Sequence, residues 1–183
     1  MKSSVNVLIV LVAFFGIGIC RAEVKVPHGA AALKSLTEAY VATLDKDLHL
    51  QSTFYTPSTH FRDPTSALFG PAWDITGGEQ IIQFFKTASE DSGTLEVVYK
   101  ITNMLVEGSL VVANITSTVT SCGVGIGFPS KSFSGDIHMV MVLKFDGEKL
   151  KERTDYVGYS AAWEKMEAMK STLGTHNDDV RCK

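Results

Sequence analysis

Residues 94–157 constrain this chain more than any other stretch, because they carry four runs of alternating character joined by short connections. "TLEVVYKITNMLVEG" sets Leu95, Val97, Tyr99 and Ile101 against Glu96, Val98, Lys100 and Thr102. Successive side chains of a strand point to opposite faces, so one face of this run is apolar. "SLVVANITSTVTS" repeats the pattern, with Val111, Ala113, Ile115, Ser117 and Val119 on one side and a largely polar set on the other. "SFSGDIHMVMVLKF" and "EKLKERTDYV" follow. Gly108 turns the chain after the first run, and Asp146-Gly147 is a strong hairpin signal after the third. Strands joined this tightly pair antiparallel, because a parallel crossover takes about a dozen residues or more. "CGVGIGFPSK" carries Gly123, Gly125 and Gly127 without the dinucleotide spacing, and no helix comes after it. It reads as a hairpin loop, not a phosphate cradle.

The first half of the chain is different. Leu33, Leu36, Tyr40 and Leu44 recur at helical spacing and predict a helix over about 30–46. "LHLQSTFY" is a second short helical segment, broken by Pro57. "THFRD" is a short strand with Phe61 and Asp63 on one face and His60 and Arg62 on the other. "TSALFGPAW" is an irregular loop. Thr76 and Glu79 then have the spacing of a capping box, followed by a helix to about Ser89 that buries Ile81, Ile82, Phe84 and Phe85. "SAAWEKMEAMKST" is a terminal helix with Trp163 and Met166 on one side, and the polar residues after it have the composition of a mobile tail. Helices first, then a run of strands, is an α+β pattern. The expected architecture is a cone-shaped, curved antiparallel sheet wrapped around the N-terminal helices, with an internal cavity suited to a small molecule.

The ends frame one domain. Residues 1–22 combine Lys2, the apolar run "VNVLIVLVAFFGIGI", and Cys20 and Ala22 at the positions a signal peptidase reads. We expect a signal peptide over 1–22, a single domain over 23–170 and a polar tail over 171–183, in a secreted or periplasmic protein with no membrane span after cleavage. Cleavage removes Lys2 and Arg21 and no acid, leaving 15 basic residues against 20 acidic ones, formally −5. Nucleic-acid binding, which relies on a basic patch, is disfavoured by that balance. Cys122 and Cys182 survive cleavage and either form one disulfide or remain thiols. His28, His49, His60, His138 and His176 are scattered without ligand spacing, so neither a metal nor any other cofactor is expected.

With the elements placed, "EAYVATLDKDLHLQSTFYTPSTHFRDPTS", "GGEQIIQFF" and "KFDGEKLKERTDYVGY" together resemble the nuclear transport factor 2-like superfamily. Within it the chain resembles the SnoaL-like group, which includes polyketide cyclases, ketosteroid isomerases and limonene-epoxide hydrolases. The likeness spans about residues 30–168. For the ketosteroid isomerases it implies Asp63, before Pro64, in the place of the general base, and Tyr40 in the place of the tyrosine that donates to the developing oxyanion. Their second donor, a protonated aspartic acid, falls at Met141, and a thioether donates no hydrogen bond. Asp155 resembles the last-strand aspartate of the epoxide hydrolases, whose remaining acidic and basic partners are replaced here by Asn114 and Thr116. In the polyketide cyclases one acidic pocket residue moves the proton, and Asp63 or Asp155 would serve.

Two functions follow as expectations. One is a domain that binds a small hydrophobic ligand in its cavity without a complete known catalytic set, with a homodimer through the open sheet face as a further expectation. The alternative is an isomerase-, cyclase- or dehydratase-type enzyme with Asp63 as base and Tyr40 as oxyanion donor. A carboxylate shielded in an apolar pocket is a stronger base than one in water. Against this stands a structural role for Asp63, accepting backbone N–H groups from the turn that follows it. Phe61, Trp73, Phe85, Tyr99, Met139 and Met141 are the expected ligand-binding wall, and Arg153 and Asp155 share a strand face on which they can pair.

Overall fold

The computed structural model describes residues 29–44, 48–123, 127–175 and 178–182. The signal-peptide expectation therefore lies outside the described residues. Helix α1 (Ala30–Val41) buries Leu33, Thr37, Tyr40 and Val41 on one side, which matches the apolar spacing. Helix α2 (Leu48–Ser52) is a single turn or so. Strand β1 (His60–Asp63) buries Phe61 and Asp63 and leaves His60 and Arg62 at the surface. There they pair with Asp74 and Glu152.

The loop after β1 is more regular than expected. Pro64–Leu68 form a 3-10 helix capped by Asp63, and Trp73 opens strand β2 (Trp73–Thr76) instead of closing the loop. Helix α3 (Gly78–Asp91) follows, and the expected capping box at its start does not form. Thr76 is still in β2, opposite His60, so its hydroxyl is not available as a cap. Gly77 takes the N-cap position instead, with φ 105, a backbone conformation open to glycine. Its N–H donates to the Thr59 carbonyl and Gly78's to the Thr56 carbonyl. A Cβ on Gly78 would stand 2.7 Å from Tyr55 Cβ, so the second glycine permits close approach of α3 to the preceding turn.

Strands β3 (Thr94–Glu107), β4 (Leu110–Gly123), β5 (Phe128–Asp146) and β6 (Lys149–Val157) complete a six-stranded sheet in the order β2-β1-β6-β5-β4-β3. The four long runs pair antiparallel as their short connections require, and β1 joins β6 in the one parallel pairing among the described residues. The sheet is open and curled, with the N-terminal helices against its inner face. Val111, Ala113, Ile115, Met141, Leu143, Phe145 and Leu150 bury on that face with Leu33, Tyr40, Phe61 and Ile81. On the outer face Thr116 meets His138 and Thr118 donates to Asp136.

A bulge in β6 decides what its inner face carries. Lys144 opposes Glu152, but the next residue, Phe145, opposes Leu150, so Lys151 is extra. A β-bulge puts two residues against one and re-phases the alternation. Strict alternation from Leu150 would turn Glu152 and Thr154 inward. With the extra residue, Leu150, Arg153 and Asp155 share the interior.

Helix α4 (Tyr159–Leu173) closes the chain against β5. The tail beyond it was expected to be mobile, but residues 178–182 are tied down. Cys182 forms a disulfide with Cys122. Asp179 donates its N–H to the Ser130 carbonyl at 2.8 Å, and Asp178 accepts from Ser130 Oγ at 2.8 Å and pairs with Lys131 at 2.9 Å.

Candidate functional site

A cavity of about 540 Å³ opens between the curled sheet and α2 and α3. Five of the six expected wall residues line it: Phe61, Trp73, Phe85, Tyr99 and Met139. Its buried or half-buried polar wall includes Asp63, Arg153, Asp155, Tyr159, Gln51 and Ser117, and the exposed Lys86, Glu90 and Glu96 line it as well. Two expected residues lie elsewhere. Met141 is fully buried in the core, opposite Asp155 across β5 and β6, and is not part of the wall. Tyr40 is also fully buried and does not line the cavity. Its hydroxyl is shared between Tyr55 at 2.8 Å and Arg153, whose Nη1 donates to it at 2.9 Å. The cavity-lining Arg153 binds that oxygen, so the Tyr40 hydroxyl is linked to the cavity wall through Arg153.

Asp63 fills the structural role weighed for it with one oxygen and keeps the other at the cavity wall. Its Oδ1 accepts the Thr65 N–H at 2.9 Å, the Thr65 hydroxyl at 2.5 Å and the Ser66 N–H at 3.1 Å. That is the turn expected of an aspartate before proline, and it caps the 3-10 helix. The other oxygen is used differently. Oδ2 accepts the Tyr159 hydroxyl at 2.6 Å, at the cavity wall. Three donors on one oxygen fix the carboxylate, and the second oxygen is presented with a phenol beside it.

Tyr159 was not singled out from the sequence. It follows the last strand by two residues, at the first position of α4, where no apolar periodicity marks it. Burial, and then its hydrogen bond to Asp63, push its hydroxyl well above the usual phenol range, so it stays protonated and remains a donor. The rings of Phe69 and Trp73 meet it edge-on, with centroids 5.1 and 6.2 Å away.

Arg153 and Asp155 pair in the interior. Arg153 Nε donates to Asp155 Oδ1 at 2.9 Å and Nη2 to Oδ2 at 2.6 Å, a two-point contact between a guanidinium and a carboxylate. The guanidinium carbon also stands 4.8 Å from the Phe85 ring centre and 5.3 Å from that of Phe61. Burial raises the Asp155 carboxyl above its ordinary range; Arg153 opposes that rise and the neighbouring Asp63 adds to it. The buried wall thus holds two carboxylates against one guanidinium. Among the described residues no cluster of His, Cys, Asp and Glu converges as a metal-ligand set would.

A curled sheet closed by N-terminal helices over a polar-walled cavity is the nuclear transport factor 2-like architecture, and the chain has that fold. Solved structures place it beside SnoaL-like proteins in particular. A protein of Shewanella putrefaciens CN-32 described as a SnoaL-like polyketide cyclase is 29% identical, with a TM-score of 0.65 over 75% of this chain and 97% of that one. A protein of Shewanella denitrificans OS-217 with the same description is 27% identical, with a TM-score of 0.65 over 74% and 97% of the two chains. A nuclear transport factor 2-like protein of unknown function from Burkholderia pseudomallei K96243 shares the fold at 15% identity, with a TM-score of 0.59 over 72% and 95%. No family model and no curated protein matches the sequence.

Proposed function

We propose that this chain is a secreted or periplasmic domain that binds a small, ring-bearing, mostly apolar molecule through an oxygen-containing group. One observation carries the reading: Asp63 Oδ2 and the Tyr159 hydroxyl meet at 2.6 Å on the wall of a cavity otherwise rich in aromatic and aliphatic side chains. A volume of about 540 Å³ falls in the range of small-molecule sites, which pair apolar walls with a few placed polar groups. The carboxylate oxygen accepts a ligand hydroxyl, and the Tyr159 oxygen, whose one proton goes to Asp63, accepts a ligand hydroxyl or N–H. The likeness to proteins described as polyketide cyclases supports a ring-bearing ligand. The apolar run within 1–22 and the Cys122–Cys182 disulfide support an oxidising compartment.

Calorimetric titration of the protein with naphthol tests this. We expect one saturable site, weakened about tenfold in Asp63→Asn, which corresponds to about 1.4 kcal/mol for a charge-assisted hydrogen bond. A heat signal that never saturates overturns the reading.

A cyclase- or isomerase-type proton transfer is the second reading, favoured by the buried Asp155 carboxyl beside Asp63. Two neighbouring carboxyl groups with different surroundings divide acid and base roles. The carboxylate takes the proton next to a ligand carbonyl, the C–H electron pair forms the enolate C=C as the carbonyl π pair moves to oxygen, and the carboxyl group, whose proton exchanges with solvent, returns a proton to carbon. Deuterium exchange into beta-tetralone, followed by NMR, should run faster with the protein than in buffer and slow in Asp63→Asn. Exchange at the buffer rate excludes this second reading.

A further inference from the structure

We propose that Gln51 forms a second polar subsite in the cavity, so that the ligand carries two hydrogen-bonding groups, one for Asp63 and Tyr159 and one for the Gln51 amide. The inference rests on the ligand-binding reading above and deepens it by naming the ligand class.

Helix α2 points to this by what it buries. Of its five residues only Gln51 is buried, at 2% exposure, while its neighbour Leu50 is 48% exposed. Packing alone would favour the opposite arrangement, since leucine gains from burial and glutamine loses. Gln51 lines the cavity beside Leu44 and Leu48, neither of which offers its side chain a polar partner. Its Oε1 is buried with no hydrogen-bond partner among the described residues. Buried polar groups are nearly always satisfied, so an unpartnered amide oxygen on a residue of the cavity wall marks a place for a ligand group once the amide turns toward it. Rotation of the amide presents either the oxygen or the NH2 group, so it serves a ligand hydroxyl in either sense or a ligand N–H. A site holding such a group favours ligands that fill it over analogues that leave it unpaired.

The class that fits is a small, ring-bearing molecule with two separated hydroxyl or amide groups. Naphthol and a set of naphthalenediol isomers, which differ in hydroxyl separation, are the probes. Calorimetry on the wild-type protein should find at least one diol binding about tenfold more tightly than naphthol, the gain of one added hydrogen bond. In Gln51→Met, which keeps the side-chain length, the ratio between that diol and naphthol should fall to about one. Thermal melting of the ligand-free Gln51→Met protein should shift upward, because an unpartnered buried amide oxygen is replaced by an apolar group.

The outcomes separate the two readings. If naphthol binds but no diol gains, or the gain persists in Gln51→Met, the second subsite is overturned and the ligand-binding reading stands. If Gln51→Met melts lower, its amide has a structural partner and the subsite is likewise overturned. If neither naphthol nor any diol binds, both readings fall together.

Discussion

The Tyr159 hydroxyl donates to Asp63 Oδ2 at 2.6 Å, joining residues 96 positions apart. This bond links the end of β1 to the first turn of α4. It is continued on the other side of the carboxylate, where the Thr65 hydroxyl donates to Asp63 Oδ1 at 2.5 Å and accepts the Val157 N–H at 2.9 Å. The end of β1, the end of β6 and the start of α4 are thus held through one carboxylate.

Tyr159→Phe removes the donor and leaves the ring contacts with Phe69 and Trp73. A hydrogen bond to a charged group contributes about 1.5–3 kcal/mol, and the partial exposure of Tyr159 puts the expected loss at the lower end, about 1–2 kcal/mol. Urea unfolding of the two proteins measures it. Equal midpoints would mean that the bond adds nothing to the fold.

Alkaline pH should destabilise the protein. Tyr40, Tyr55 and Tyr159 all have hydroxyls raised above the usual 10.0, in each case first by burial. A raised value in the folded state means that the fold holds these protons after the unfolded chain has released them. Stability is therefore fully present below pH 10 and falls as pH rises beyond it. Chemical unfolding across the alkaline range should show that decline, and Tyr159→Phe should make it shallower. A flat profile would contradict the sign.

Breaking the interior ion pair should be costly, and replacing it whole should not be. Arg153→Met leaves Asp155 buried without its partner, an expected loss of about 3–5 kcal/mol. Combining it with Asp155→Leu removes the stranded charge and should recover most of that loss. Denaturant unfolding of the two single variants and the double variant gives the coupling directly. Additive losses would show that the pair acts as two independent groups.

The disulfide closes a loop of 60 residues between β4 and the tail. Cys182→Ser should lower stability by about 2–4 kcal/mol, chiefly by freeing the unfolded chain. The same loss should appear in the wild-type protein under reducing agent and not in the variant. A variant that still responds to the reductant would locate the effect elsewhere.

Much of the architecture was legible before any coordinates. Alternation over 94–157 and the short connections require an antiparallel sheet, because a period of two is a local property and a short link permits one kind of pairing. The helical spacing of Leu33, Tyr40 and their neighbours placed α1, and the aspartate before Pro64 placed the turn. Phe61, Phe85, Tyr99 and Met139 followed from which strand or helix face was apolar, whereas Trp73 falls in a stretch that reads as an irregular loop.

Other features had no local signal. Thr76 and Glu79 have capping-box spacing, yet the pairing of Thr76 with His60 holds it in the sheet and leaves the cap to Gly77. The polar tail looked mobile by composition, and a covalent bond to Cys122 holds it. Tyr40 and Met141 sit on the inward face as expected, but Arg153 separates the Tyr40 hydroxyl from the cavity and Met141 fills the core.

The sequence alone determined the fold class, the antiparallel pairing of the long strands and the turn at Asp63, since each depends on residues close together in the chain. Tertiary structure alone decided that Tyr159 meets Asp63, that one extra residue in β6 turns Arg153 and Asp155 inward, and that Gln51 is buried while Leu50 is not. Those outcomes depend on which distant surfaces exclude water from one another, and that quantity is set only when the sheet has curled and the helices have closed over it.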